Sequence, residues 1–375
     1  MLTSSQSKAS ASILILLFAA GLLVGGLAIY FVTFMQVNNL SGQVANLQTR
    51  VSSLEGFQNV TSQSVTITQN GTSLAEIYAN VQKSIVLIQG ETSDGGVQGS
   101  GFVYNFAGQN VILTNFHVVQ DTTNLAVTFS NGNGYKATVM GTDPYSDLAV
   151  VFVNAPSSEF KPVQIVSSSS LRQGEQVIAI GNPYGLVGSL TTGVVSATGR
   201  SIPEETAGGY RIANIIQTST PINPGNSGGP LLNAVGNVVG ITTAIVSDSQ
   251  GLGFAIPSNT ILREISSLIS TSTYRGHSYL GVMGQDMDYS LAQQYGSSVT
   301  YGWRIETVTR NGPSEGKLQA GDIIIAINGQ TIRNNDDLAS YLEENTLPGD
   351  NLVLTVLQNK AQVPVTVTLG PRPAP

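Results

Sequence analysis

The apolar and polar positions divide the chain into stretches of different character. Residues Ile13 to Met35 are apolar almost throughout, interrupted mainly by Gly and by Thr33. From Ser73 onward the apolar residues instead form many short runs, separated by Gly, Asn, Asp and Pro. Short runs at this spacing are typical of an all-β sandwich or barrel, so we predict a β-rich globular part after an apolar N-terminal segment.

The middle of the chain, residues 73–272, is predicted to be one domain of short strands with a helix at each end. Its strands include Ile85–Ile88, Val111–Thr114, Ala126–Phe129, Leu148–Val153, Gln176–Ile180 and Val238–Ile241. The sequence Ser73-Leu74-Ala75-Glu76 matches a capping box and opens a helix that reaches about Lys83. Apolar residues on one helical face predict a second helix from Pro257 to about Ser272.

Residues 276–372 are predicted to form a second module, which follows a short linker. Within Gly321–Gly329, the pair Asn328-Gly329 is a strong signal for a tight turn between two strands. A helical stretch follows from about Asn335 to Glu344. We expect His277 to lie at the end of the linker without a chemical role.

The apolar segment at residues 13–35 is predicted to be an uncleaved transmembrane signal anchor. A transmembrane helix needs about 20 apolar residues, whereas the apolar core of a signal peptide spans roughly 7–15. Lys8 precedes the segment and the next basic residue is Arg50. The positive-inside rule then places residues 1–12 in the cytoplasm and the globular part on the extracytoplasmic side of the cell membrane. A long, cleaved signal peptide is the alternative.

Residues 36–72 are predicted to form a stalk and linker with a short heptad seam. Apolar residues recur there in steps of three and four, at Val37, Leu40, Val44, Leu47, Val51 and Leu54. Such a seam joins helices in coiled coils, although stable ones usually run over three or four heptads. Glycosylation sequons at Asn39, Asn59 and Asn70 are compatible with an exported stalk. The seam either joins the stalks of an oligomer or continues the N-terminal helix.

Composition removes several classes of function. The formal net charge is −7 and the chain has no run of Lys or Arg, which argues against a nucleic-acid partner. It has no cysteine, which excludes disulfide scaffolds, cysteine proteases and thiolate metal sites. The two histidines, His117 and His277, show no metal-ligand spacing with neighbouring carboxylates. We therefore expect neither a metal nor a cofactor.

Three short segments carry candidate chemistry. His117 stands just after a predicted strand, in TNFHVV, and Asp147 stands just before another, in DPYSDLAV. Ser227 lies in a glycine-rich turn, PGNSGGP. The order His, Asp, Ser is the chymotrypsin order among the unrelated folds that converged on this triad.

Each of these residue types has a role in peptide-bond hydrolysis. A serine hydroxyl is a weak nucleophile until a base removes its proton, and a neutral imidazole does so near neutral pH. A buried carboxylate holds the imidazole in the required tautomer and stabilises its cation. The glycines let the N–H groups of Gly225 and Ser227 converge on a developing oxyanion, where one donor contributes about 3–4 kcal/mol.

Two other functions are compatible with parts of this pattern. GNSGG also matches the nucleophile elbow of α/β-hydrolase esterases, which requires a strand before the serine, a helix after it and the order Ser, acid, His. Pro224 and Gly228-Gly229-Pro230 suit a loop instead. The other alternative is a non-proteolytic chaperone or peptide-binding scaffold. Retention of His117 and Ser227 favours the enzyme.

These segments and several others resemble the HtrA (DegP-like) family of trypsin-fold serine proteases with one C-terminal PDZ domain. The resemblance runs from about residue 74 to 370. It is carried by Gly99–Phe102, Thr114–Val119, Ser146–Val150, Ile180–Pro183, Gly225–Pro230 and Gly251–Pro257. It implies a mainly β fold, with a chymotrypsin-like pair of six-stranded β-barrels and an α+β PDZ domain.

The resemblance also implies roles for individual residues. His117 is the general base, Asp147 the orienting acid and Ser227 the nucleophile of a serine endopeptidase. The oxyanion hole is lined by Gly225, Asn226 and Ser227. The residues expected to pair with the substrate backbone and shape an S1 pocket for small or medium apolar side chains are Ile241, Thr242, Thr243, Ala244 and Ile245.

In the PDZ domain, the resemblance implies a groove that receives the terminal carboxylate of a peptide. The backbone N–H groups come from Tyr279, Leu280, Gly281 and Val282, and the facing helix carries Leu338, Tyr341 and Leu342. A PDZ fold that only packs or regulates is the alternative. Relatives commonly act as trimers on misfolded proteins, so the expected partners are unfolded protein or peptide substrates, the membrane and a homo-oligomer.

Overall fold

The computed structural model describes residues 33–36, 38, 40–42, 73–182, 188–203, 211–223, 225–243 and 251–374. The chain divides into two units, Met1–Gly71 and Thr72–Pro375. The described residues of the first unit are helical. Within the described parts of the chain, no helix has the length and hydropathy needed to cross a membrane. Most of the predicted anchor at 13–35 and of the heptad seam at 37–54 lies outside those parts.

The second unit begins with a closed barrel of six antiparallel strands. They are β1 (Ile85–Thr92), β2 (Gly95–Phe106), β3 (Gln109–Thr114), β4 (Thr123–Thr128), β5 (Gly134–Asp143) and β6 (Leu148–Val153). Their order around the barrel is β1-β2-β3-β6-β5-β4. Closure leaves no unpaired strand edge, and apolar side chains such as Phe102, Ile112 and Val151 are fully buried.

A second closed barrel follows. Its strands are β7 (Gln176–Gly181), β8 (Ser189–Pro203), β9 (Arg211–Thr218), β10 (Pro230–Asn233), β11 (Val238–Thr243) and β12 (Gly253–Pro257). They are ordered β10-β11-β12-β9-β8-β7. The predicted pair of six-stranded barrels is thereby confirmed.

Among the described residues of this region, three α-helices accompany the barrels: α1 (Leu74–Val81), α2 (Phe116–Val119) and α3 (Ser258–Thr271). The predicted capping box is present, since the N–H of Glu76 donates to Ser73 Oγ and the N–H of Ser73 donates to the carboxylate of Glu76. Single 3₁₀ turns occur at Gln82–Ser84 and Ser168–Ser170. The apolar face of α3 is buried, as its spacing predicted.

The remainder of the unit has the mixed α and β elements expected of a PDZ fold. The strands are β13 (Ser278–Tyr279), β14 (Val282–Asp286), β15 (Trp303–Val308), β16 (Ile323–Ile327), β17 (Gln330–Thr331), β18 (Asn351–Gln358), β19 (Ala361–Thr368) and β20 (Gly370–Pro371); the helices are α4 (Tyr289–Tyr295) and α5 (Asn335–Asn345). The main sheet runs β14-β15-β16-β18-β19, β17 pairs with β16, and β13 pairs with β20. Asn328 and Gly329 join β16 to β17 with φ of 47° and 84°, which confirms the predicted turn.

Helix α5 packs against strands β8 and β9 through polar contacts. Ser340 Oγ donates to the carbonyl oxygen of Gly199 (3.0 Å), and Asn214 Nδ2 donates to Glu344 Oε1 (2.7 Å). At the start of the helix, Asp336 accepts the N–H of Ser201 at 2.9 Å. The second barrel is thus hydrogen-bonded to the PDZ module along the whole of α5.

The close packing of helix α3 against strand β5 of the first barrel can be tested by substitution. A Cβ on Gly141 would lie 2.1 Å from the carbonyl oxygen of Leu268 in α3, whereas a Cβ on Gly134 in the same strand would meet nothing closer than 3.4 Å. We expect Gly141→Ala to destabilise the protein by about 1–3 kcal/mol because α3 must move away. Gly134→Ala should be neutral or slightly stabilising. Denaturant unfolding followed by circular dichroism measures both, and equal effects would contradict the packing.

Candidate active site

The candidate base, His117, lies where strand β3 ends. After Asn115 the chain enters α2, in which His117 is the second residue. The N–H of Phe116 donates to the carbonyl oxygen of Asp147 at 3.1 Å, and the side-chain amide of Asn115 donates to the same oxygen at 3.1 Å. The backbone around the base is therefore bonded to the backbone of the candidate acid.

The carboxylate of Asp147 accepts hydrogen bonds from groups of both barrels. Nδ1 of His117 lies 2.9 Å from Oδ2 and 3.0 Å from Oδ1, and the N–H of His117 donates to Oδ1 at 2.9 Å. The hydroxyl of Thr243, at the end of β11, donates to Oδ2 at 3.1 Å. The Asp147 side chain is 1% exposed and the imidazole is 27% exposed. Because Nδ1 faces the carboxylate, the ring keeps Nε2 for proton transfer.

Ser227 lies in a loop whose shape excludes side chains at several positions. Gly225 and Gly228 have φ of 95° and 84°, in the region that favours glycine. A Cβ on Gly228 would lie 2.1 Å from the carbonyl oxygen of Ser100, and one on Gly229 would lie 2.3 Å from a carbonyl oxygen of β7. Close backbone packing therefore explains the glycines of this segment.

The nucleophile loop and the helix carrying the base meet at strand β2. The N–H of Ser100 donates to the carbonyl oxygen of Ser227 at 2.8 Å. A Cβ on the preceding Gly99 would lie 2.6 Å from a methyl group of Val118 and 3.3 Å from that same carbonyl oxygen. Ser227 is itself buried. The structure therefore brings the candidate base and acid of the first barrel and the candidate nucleophile of the second barrel to one junction.

Ser100 is a site residue that the sequence reasoning missed. Its hydroxyl donates to the carbonyl oxygen of Gly225 (2.5 Å) and accepts the N–H of Asn182 (2.7 Å). On the other side of the same peptide unit, the N–H of Asn226 donates to the carbonyl oxygen of Asn223 at 2.9 Å. Both polar groups of the Gly225–Asn226 peptide are therefore held. The only sequence signal was the position of Ser100 between two glycines.

The expected oxyanion hole changes in one member. The N–H of Asn226 is already bonded within the loop, so it is not available to an oxyanion in this structure. The side-chain oxygen of Asn226 lies against Gly181 and meets no hydrogen-bond donor among the residues that the structure describes. The N–H groups of Gly225 and Ser227 remain the expected donors.

The first three residues of the predicted substrate-binding stretch, Ile241–Thr243, belong to the interior of the second barrel. The side chains of Ile241, Thr242 and Thr243 are fully buried, so they do not line a pocket. The backbone of Thr242 bonds the two glycines that follow the nucleophile, at 2.9 Å each, and this corrects the expectation that it pairs with a substrate strand. Ala244 and Ile245 lie outside the described residues.

The predicted carboxylate loop of the PDZ module joins β13 to β14. Leu280 is buried and its carbonyl oxygen accepts the hydroxyl of Ser314 at 2.6 Å. Gly281 has a φ of 76°, and its carbonyl oxygen accepts a backbone N–H. Val282 begins β14, which is the last strand of the main sheet on that side. The loop after Tyr279 thus leads into an edge strand of the kind to which an extended peptide can add.

Comparison with protein families gives two matches. Residues 99–241 match the trypsin-like peptidase domain, and residues 278–369 match the PDZ domain. Both matches agree with the barrels and the smaller module described above.

Comparison with individual proteins gives several relatives. The chain is 38% identical over 281 residues to a probable periplasmic serine endoprotease DegP-like of Brucella suis, covering 74% of this chain and 53% of the relative. It thus spans about half the length of the curated relatives it matches. The solved structure of the HtrA-type protease AlgW with a tripeptide is 31% identical, with a TM-score of 0.64, covering 81% of this chain and 98% of that one. A serine endoprotease structure from Yersinia pestis is 28% identical, with a TM-score of 0.59, covering 80% of this chain and 99% of that one.

Removing the Ser100 hydroxyl should slow the reaction of Ser227 with a fluorophosphonate probe. Ser100→Ala leaves the Gly225 carbonyl and the Asn182 N–H without their partner, at a cost of about 1–3 kcal/mol. We expect the labelling rate to fall about 10- to 100-fold, since about 1.4 kcal/mol is a factor of ten. The control is Ser266→Ala, on the exposed face of α3. Equal labelling of both variants would contradict this role for Ser100.

Proposed function

Because the chain belongs to the HtrA family of trypsin-like serine proteases with one PDZ domain, we propose that it is a serine endopeptidase with Ser227 as its nucleophile. The observation that carries the proposal is the carboxylate of Asp147. It accepts Nδ1 of His117 from one barrel and the Thr243 hydroxyl from the other, beside the glycine-rich loop of Ser227. This arrangement orients an imidazole for proton transfer at a junction that also holds the serine.

The proposed reaction proceeds through an acyl-enzyme. Ser227 Oγ attacks the scissile carbonyl carbon while Nε2 of His117 takes the hydroxyl proton. The N–H groups of Gly225 and Ser227 stabilise the negative oxygen of the tetrahedral intermediate. The imidazolium then gives its proton to the leaving amine as the C–N bond breaks. Water, deprotonated by His117, attacks the ester and forms a second tetrahedral intermediate. As its C–O bond to Ser227 breaks, His117 returns the proton to Ser227 Oγ and the carboxylic acid product is released. Asp147 orients the imidazole in both halves.

We assign unfolded or damaged exported proteins as the substrate class. The first support is the similarity to proteases named periplasmic and DegP-like. The second is the edge strand β14, beside the predicted loop at residues 279–282, where a peptide terminus would add as a further strand. The half-buried side chains of Tyr341 and Leu342 on α5 suit the facing wall of that groove.

We place the globular part on the extracytoplasmic side of the cell membrane, held by a single-pass helix at residues 13–35. The support is the length of the apolar segment and the position of Lys8 before it. The names of the relatives as periplasmic proteases agree with this side of the membrane. We also propose association into a homo-oligomer, a trimer or a multiple of it. The support is the heptad seam and the trimeric state that is common among HtrA relatives.

Replacing the nucleophile tests the proposed function. Ser227→Ala in the full-length protein should lower cleavage of a fluorescently labelled, unfolded casein by roughly 10⁴-fold or more, because the nucleophile is lost. Thermal stability should be unchanged, because the substitution removes only one hydroxyl. Ser266→Ala is the matched control and should cleave like the parent. Activity of the parent should fall on the acidic side as His117 becomes protonated, since an imidazolium cannot accept the serine proton.

Two results would count against the proposal. Cleavage retained in Ser227→Ala would exclude this serine as the nucleophile. Cleavage by neither protein, together with no fluorophosphonate labelling of the parent, would favour the peptide-binding scaffold instead.

A further inference from the structure

His277 is buried between two carboxylates that belong to different modules. Its side chain is 3% exposed. Nε2 lies 2.6 Å from Oδ2 of Asp143, the last residue of β5, and Nδ1 lies 3.1 Å from Oε2 of Glu343, on α5 of the PDZ module. One imidazole therefore connects the first barrel to the PDZ helix, and the expectation of a linker residue without a role does not account for this environment.

The charges around His277 indicate an imidazolium that donates on both sides. Burial alone would lower the pKa of His277, but Glu343 and Asp143 outweigh it and raise that pKa to about 10. Burial alone would also raise the pKa of each carboxylate, yet His277 holds the pKa of Asp143 and of Glu343 below its ordinary value. The two carboxylates are thus kept charged by the same cation.

Arg263 and Glu264, adjacent on α3, complete the cluster. The guanidinium of Arg263 donates to Glu343 and to Glu264 Oε1, and the hydroxyl of Ser146 donates to Glu264 Oε1 at 3.0 Å. Burial, with Asp143 nearby, raises the pKa of Glu264 well above its ordinary value. His277, Asp143 and Glu264 lie close enough together for a metal site, but the protons on His277 and the adjacent guanidinium oppose a cation there.

The first-barrel end of this cluster is the loop that carries the catalytic acid. This acid loop, residues 143–147, begins with Asp143, whose Oδ1 accepts the N–H of Tyr145 at 3.0 Å. It ends with Asp147, whose φ of 51° is unfavourable for a residue with a Cβ. Such a conformation persists only where the surroundings hold it. Asp143 and Ser146, both in contact with the cluster, are part of those surroundings.

The C-terminal segment bears on the same loop. The N–H of Arg372 donates to the carbonyl oxygen of His277 at 3.0 Å, and its guanidinium lies 4.5 Å from the centre of the Tyr145 ring. The hydroxyl of Tyr145 donates to the carbonyl oxygen of Pro373. The residues after the last PDZ strand therefore hold the acid loop from a second direction.

We infer that His277 is a positioning residue for the proposed reaction: by joining Asp143 to Glu343, it holds the acid loop in the geometry in which Asp147 faces His117, and it does so only while the PDZ module is docked. The inference rests on the proposed function for its kinetic consequence. The contacts themselves run without a gap from Glu343 through His277 and Asp143 to the acid loop.

The test uses the full-length protein and three variants. His277→Gln removes the cation and turns an amide oxygen toward one carboxylate. Glu343→Gln removes the negative charge that pairs with His277 and Arg263 and leaves the imidazole in place. In the double variant, the amide introduced at position 277 can donate to Asp143 while its oxygen accepts from the amide introduced at position 343. The matched control is Asp337→Asn, which removes an acidic group on α5 that pairs with Arg333 inside the PDZ module.

We expect His277→Gln to lower kcat for a short peptide about 10- to 100-fold with KM unchanged, because a misplaced acid misaligns the base. The acid limb of kcat/KM should move to lower pH, because His117 loses the carboxylate that stabilises its cation. Glu343→Gln should act in the same direction, the double variant should recover much of kcat, and Asp337→Asn should behave like the parent.

The chain has only two histidines, so ¹⁵N-histidine labelling reports His117 directly without turnover. In Glu343→Gln, the His117 titration should move to lower pH, although Glu343 lies in another module. An unchanged His117 titration and unchanged kcat in the variants would overturn the inference. If His277→Gln does not fold, Glu343→Gln against Asp337→Asn decides. Loss of Ser227-dependent cleavage in the parent would reject the proposed function instead, and the titration would still decide the inference.

Discussion

A single buried carboxylate, that of Asp147, sets a condition that both barrels must meet. Removing a charged group from water costs several kcal/mol unless hydrogen bonds and a partner charge compensate. Here the compensation comes from the backbone and ring of His117 and from the hydroxyl of Thr243. Because the Thr243 hydroxyl belongs to the other barrel, the carboxylate receives all of these hydrogen bonds only when the barrels are docked correctly. Docking of the second barrel therefore adds the last of the hydrogen bonds that hold the carboxylate facing the candidate base.

The second constraint is the absence of side chains where the barrels meet. A Cβ on Gly228 would overlap the carbonyl oxygen of Ser100, and a Cβ on Gly99 would overlap Val118. Interiors are packed too tightly to absorb such an overlap without a shift of backbone. These glycines let the loop of Ser227 approach β2 closely enough for a backbone hydrogen bond, while the Ser100 hydroxyl fixes the peptide beside it.

The PDZ module is held to the two barrels by polar and ionic contacts. Buried ion pairs contribute little net stability, because desolvation offsets much of their attraction, but breaking one by removing a partner is costly. Contacts such as His277 with Asp143 and Glu343 therefore impose a specific docking geometry more than they add affinity. Through these directional contacts a small displacement of α5 would change the position of the acid loop. A nondirectional apolar contact would transmit such a displacement poorly.

The resemblance to the HtrA family implied the two barrels, and the sequence by itself determined the β-rich character of the globular part, the positions of several strands and helices, and the order of His117, Asp147 and Ser227. These follow from local physics: apolar runs of strand length, one-face helical spacing and glycine-rich turns leave their mark over a few neighbouring residues. Only the tertiary structure decided that Ser100 holds Gly225, 125 residues away, and that Thr243 serves Asp147, 96 residues away. It alone also placed His277 between two modules. A serine, a threonine or a linker histidine has no local signature for such a role, because its function depends on partners that chain folding brings to it from distant positions.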